Sequence, residues 1–94
     1  MTETRDVLIA ARALIDTPEK WFGKNVTARL DSLCMVWAVS VVTRGRPREQ
    51  RQAALDALRS ALPPSARKNI IAYNDTHTHR AVMRIMDRAI EAES

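Results

Sequence analysis

"LCMVWAVSVV", Leu33 to Val42, decides what kind of fold this chain adopts. Nine of its ten side chains are apolar and only Ser40 interrupts the run, so the segment belongs in a protein interior if it is regular at all. Its four valines favour a strand, because a side chain branched at Cβ packs well on a pleated surface. A strand without a neighbour, however, leaves a row of amide and carbonyl groups unpaired, and no second segment of the chain offers itself as a partner. The stretch is therefore expected to be a central buried helix, capped by Asp31 or Ser32 and ending near Gly45. Ahead of it, "GKNVTA" from Gly23 shows no periodicity and reads as a loop.

On either side the pattern is helical. Residues 4–15 carry Val7, Leu8, Ala11, Leu14 and Ile15 on one stripe, with Arg5 and Arg12 off it. That helix should stop near Asp16, since Pro18 drives the residue before it out of helical conformation. "TPEKW" restarts a turn with Thr17 as cap and Pro18 at the first helical position. Downstream, Ala54, Leu55, Leu58, Ala61 and Leu62 share one face of a helix that Pro63 and Pro64 terminate. Ser65 is the expected cap of the short segment "ARKNIIAY". Val82, Ile85, Met86, Ala89 and Ile90 form the stripe of a last helix. The four aromatic residues, Trp21, Phe22, Trp37 and Tyr73, are expected to anchor the core. The whole, residues 1–94, is read as a single helical domain: an all-α, compact single-domain bundle of four to five helices with a buried central helix.

Ninety-four residues fill one domain and leave little for a deep enclosed pocket. Fifteen Lys and Arg against eleven Asp and Glu give a formal charge of +4, which favours anionic partners. Cys34 is the only cysteine, so no internal disulfide is possible, and the composition fits a reducing, cytoplasmic setting. "MTETRDVLIA" lacks the basic start and long apolar run of a signal peptide. The longest apolar stretch falls far short of the ~20 residues a membrane helix needs, so no membrane partner is expected.

The densest polar chemistry lies in "YNDTHTH", Tyr73 to His79. Asp75, Thr76 and Thr78 are all suited to capping a helix, and Asn74 suits a tight turn. Tyr73, Asn74 and Asp75 are accordingly expected to form a structural corner, with Asp75 capping the last helix and His77 and His79 exposed and dispensable. A metal site would need His77 and His79 on one helical face, but a spacing of two does not place them there. A Cys34 thiolate with His77 or His79 as base is chemically possible, yet nothing local supports it, so neither a catalytic nor a cofactor-binding residue is assigned. Arg44, Arg46, Arg48 and Arg51 surround Gly45 and Pro47 on an exposed turn, and four guanidiniums there suit phosphate or carboxylate recognition.

Three stretches together resemble an uncharacterised family of small bacterial and phage-encoded domains. They are the opening helix "VLIAARALI" followed by Pro18 and Trp21, the cysteine with small apolar residues after it in "CMVWAV", and Tyr73-Asn74-Asp75 before a helix ending "DRAIEA". The family usually has tryptophan where Tyr73 stands and glycine near Trp37, and the two histidines match nothing in it. The resemblance implies a fold and a link to mobile elements, but no activity. The resulting expectation is a non-enzymatic binding protein, an accessory or inhibitor of a host complex such as an anti-CRISPR or other anti-defence protein. Its partner would be a protein or ribonucleoprotein complex. The alternatives are a nucleic-acid-binding protein using the arginine turn and a small Cys/His-dependent enzyme.

Overall fold

A computed structural model describes residues 3–21 and 34–93. The loop expected from Gly23, Phe22 as an anchor, and Asp31 or Ser32 as a cap lie outside the described residues. Among the described residues five α-helices follow one another: α1 (Glu3–Leu14), α2 (Met35–Val42), α3 (Arg48–Ala61), α4 (Ile70–Thr76) and α5 (His79–Ala92). Single 3-10 turns stand at Pro18–Lys20 and Pro64–Ala66. No strand occurs among the described residues, and the fold is an all-α bundle. α1 packs on α2, α3 and α5, while α3 also packs on α5, so the first and last helices share the core.

The amphipathic stripes do most of the holding. Val7, Leu8, Ala11 and Ile15 are completely buried, as are Leu58, Val82 and Met86 from α3 and α5. Each large side chain so buried contributes about 1.5–3 kcal/mol. By comparison, the ion pair that Arg12 Nε on α1 makes with Asp87 Oδ1 on α5, at 2.6 Å, is partly exposed on both sides and belongs to a class worth about 0–1 kcal/mol. Apolar burial thus positions α1, and the ion pair sets only its register on α5.

α2 is a helix, as the missing strand partner required, but it is not buried all round. Met35, Ala38 and Val39 face the core, whereas Trp37 is 61% exposed. At 3.6 residues per turn, Trp37 falls roughly opposite that buried edge. Packing against α1, α3 and α4 covers only one side of this eight-residue helix. Trp37 is therefore no core anchor, in contrast to Trp21 and Tyr73, which are buried. Gly45, in the turn after α2, has φ of +76°, the left-handed region that costs glycine least. A Cβ there would meet nothing within 4 Å, so the backbone angle and not space selects glycine.

The caps differ from those expected at four places. Thr17 makes no side-chain cap bond. α2 is capped by Cys34, whose Sγ accepts from the Trp37 amide at 3.4 Å. Asn69, not Ser65, caps α4, its Oδ1 accepting from the Ala72 amide at 3.0 Å. Thr78, not Asp75, caps α5 by accepting from the Ala81 amide at 3.2 Å. Asp75 is still inside α4, because that helix runs on to Thr76 before the chain turns.

Candidate functional site

The three stretches that carry the family resemblance converge on one buried amide. Asn74, on α4, is completely buried. Its Oδ1 accepts from Trp21 Nε1 at 2.8 Å and from the backbone amide of Met35 at 3.2 Å. Its Nδ2 donates to Asp75 Oδ1 at 3.2 Å. One side chain thereby ties the segment after α1, the start of α2 and α4. The Met35 amide is one of the first-turn donors that a helix cannot satisfy internally, so Asn74 and Cys34 together complete the start of α2. Among the described residues, no buried side-chain nitrogen or oxygen lacks a partner.

The histidines around this hub are engaged in the fold. His79 Nε2 lies 2.7 Å from the carbonyl oxygen of Ile15, which can only accept, so Nε2 carries the proton. Its ring also leans on Trp21, with centroids 5.6 Å apart. His79, at the start of α5, therefore bonds the carbonyl just after α1, 64 residues earlier. His77 stacks on Tyr73 at 3.7 Å, and its Nδ1 donates to the Tyr73 carbonyl at 3.0 Å. His77 is exposed as expected and His79 is half-buried, but both rings make specific contacts whose partners sequence spacing could not supply.

Cys34 lies near this corner, and no hydrogen bond joins it to either histidine. Burial pushes its thiol above the ordinary value of 9.0, and the Asp75 carboxylate adds to that, against opposing hydrogen bonds from the Trp37 and Val36 amides. A thiol so placed stays protonated at neutral pH, whereas a nucleophile needs the thiolate. No group of three or more His, Cys, Asp or Glu side chains suited to holding a metal ion occurs among the described residues.

The arginines lie on a different surface. Arg44 and Arg46 flank Gly45, Arg48 and Arg51 occupy the start of α3, and all four are exposed. Arg51 Nε donates to Ser40 Oγ at 3.0 Å and Arg46 Nη1 to Gln50 Oε1 at 3.4 Å. None of the four forms an ion pair among the described residues. Arg51 also borders a cleft of about 260 Å³ between α2, α3 and α4. Val36, Leu55 and Ile70 supply its apolar lining, and Arg59 and Lys68 join Arg51 as its charged groups. Ile71, 50% exposed, extends the apolar lining outward. Trp37 follows Val36 directly and stands out from the same helix. Sequence periodicity gave no warning of this cleft, since three helices contribute to it. The one local signal was the density of apolar side chains around α2, too many for a single buried face.

A larger groove of about 790 Å³ runs between the start of α1, α3 and the end of α5. Ala53, Ala57, Ala61 and Ala92 offer it little side chain to grip with, and Asp56, Glu93, Arg67 and Arg88 balance its charge.

No helix among the described residues is long and apolar enough to cross a membrane. No curated protein and no solved structure matches the chain. A family model matches residues 1–92, nearly the whole length, and the chain belongs to the family of unknown function DUF6197.

Proposed function

We propose that this protein is a non-enzymatic macromolecule-binding protein that acts by occupying the surface of a protein or ribonucleoprotein complex. The observation that carries the reading is Trp37, 61% exposed on a helix whose other side is core. A large aromatic with a rigid ring is among the commonest anchors of protein interfaces, and Arg is another. Arg44, Arg46, Arg48 and Arg51 stand close by in sequence, exposed and without carboxylate partners among the described residues. Arg48 and Arg51 also sit at the positive end of the α3 dipole, where a cation costs a few tenths of a kcal/mol up to about 1 kcal/mol. Glu49 is the single acid in that turn. Such a local departure from stability rules is expected where a surface serves binding.

The phage-linked resemblance supports a specific form of this reading, an accessory or inhibitor of a host complex, including an anti-CRISPR or other anti-defence inhibitor. The test is affinity capture from bacterial lysate with wild type and Trp37→Ala, both verified to have the same melting temperature. Wild type should retain a defined complex through stringent washing, and Trp37→Ala should lose it. Recovery of no macromolecule, or equal recovery by the variant, would refute the reading. The same unneutralised arginines favour nucleic-acid binding as the second reading. That reading requires affinity for DNA or RNA falling steeply with salt as phosphate contacts release counterions.

A further inference from the structure

Resting on the binding role proposed above, we infer that the α2–α3–α4 cleft takes an acidic peptide segment whose aliphatic side chain seats between Val36, Leu55 and Ile70. Size argues first. About 260 Å³ is below the range of roughly 300–1,000 Å³ typical of small-molecule pockets, so the cleft suits one or two anchoring side chains of a longer chain that continues across the surface. Chemistry argues next. The lining is aliphatic, and Leu55 and Ile70 are each 95% buried, giving a fixed apolar wall, while Ile71 extends it to solvent. Nucleobases are held by stacking on aromatic faces, and no aromatic residue lines this cleft among the described residues. Aliphatic walls match Leu, Ile or Met.

Charge complementarity selects the flanks of that segment. Among the described residues, Arg51, Arg59 and Lys68 are the charged groups of the cleft, all positive. Asp56 engages Arg59 Nη1 at 3.0 Å and offsets one of them, which leaves a net basic rim. Carboxylates on either side of the seated aliphatic residue meet Arg51 and Lys68, and a guanidinium can take a carboxylate through two parallel hydrogen bonds. Gln52 and Asn69 line the same cleft and add polar side chains beside the peptide backbone.

The experiment is selection of random twelve-residue peptides on the immobilised full chain, followed by fluorescence anisotropy of the enriched peptides. Enrichment of Asp or Glu flanking Leu, Ile or Met is the expected result. Binding of those peptides should weaken at least tenfold in Lys68→Glu and in Ile71→Ser, both exposed positions whose variants are checked by circular dichroism, and severalfold between 50 and 300 mM salt. Selected peptides without the acid–aliphatic pairing, or binding indifferent to both substitutions, would overturn the inference. So would a single-stranded oligonucleotide that competes at the same site, which would assign the cleft to nucleic acid. If lysate capture depends on Trp37 while peptide selection never converges on the cleft, the binding role stands and this inference fails. The reverse pattern leaves the cleft and removes the role.

Discussion

Replacing Asn74 by alanine should be among the most damaging single changes this protein can suffer, although the residue is polar and carries no catalytic chemistry. The substitution deletes an acceptor shared by two buried donors, Trp21 Nε1 and the Met35 amide. Stranding a buried donor costs about 1–3 kcal/mol, so the pair accounts for about 2–6 kcal/mol before any cavity is counted. Stability of domains this size is about 5–15 kcal/mol, which puts Asn74→Ala near the edge of folding. A loss of 3 kcal/mol corresponds to roughly 12–24 °C in melting temperature for a chain of this length. Urea unfolding followed by tryptophan fluorescence would measure the loss, with Trp21→Phe and the double variant completing a cycle. Trp21→Phe removes one donor and leaves the Met35 amide satisfied, so it should cost less than Asn74→Ala. The two changes share a partner, so their effects should fail to add by 0.5 kcal/mol or more. If Asn74→Ala falls within 1 kcal/mol of wild type, or the cycle is additive, the hub does not hold the three segments together as described.

The α5 cap gives a sharper comparison. Thr78→Ala should lower stability by about 0.5–2 kcal/mol, and Ser at that position should restore most of it, as thermal midpoints would show. His79→Ala should also destabilise, by about 0.5–1.5 kcal/mol for a hydrogen bond of this kind, and a midpoint unchanged from wild type would contradict its bond to the Ile15 carbonyl. For Cys34 the sign follows from proton binding. Its folded pKa is raised above the ordinary 9.0, so the folded state keeps the proton that the unfolded state releases. The associated stability is full below about pH 9 and declines as pH rises through the folded value. Urea midpoints of wild type should therefore fall more steeply than those of Cys34→Ala between pH 8 and 11, and parallel curves would count against it.

Sequence pattern carried the helices well because each exposes a single apolar stripe to one core, and α2 followed from the lack of any partner for a strand. Periodicity could not foresee that Trp37 would face outward, because that depends on how many neighbours an eight-residue helix receives. The caps were ambiguous for a chemical reason. Asp75, Thr76 and Thr78 all carry a suitable oxygen, and only the point at which α4 ends decides among them. Asn74 and His79 were hardest to read, since their partners lie 53 and 64 residues away. On the candidate surface, the exposed arginines were legible from Gly45 and Pro47 between them. The cleft that Arg51 borders was not, because no single segment contains its walls.

The pairing of α1 with α5 has a consequence for how the chain reaches its fold. Arg12 and Asp87 are separated by 75 residues, and joining ends that far apart carries a loop entropy of roughly 4 kcal/mol beyond the constant term. During synthesis the stripe of α1 emerges before the helices that cover it, and α5 is the latest of these. Val7, Leu8 and Ile15 must wait in water or on transient neighbours while the intervening helices are made, which exposes the nascent chain to association with other chains. Folding should accordingly be slower than for a bundle of sequential hairpins, because the stripe of α1 is not fully covered until α5 has joined it.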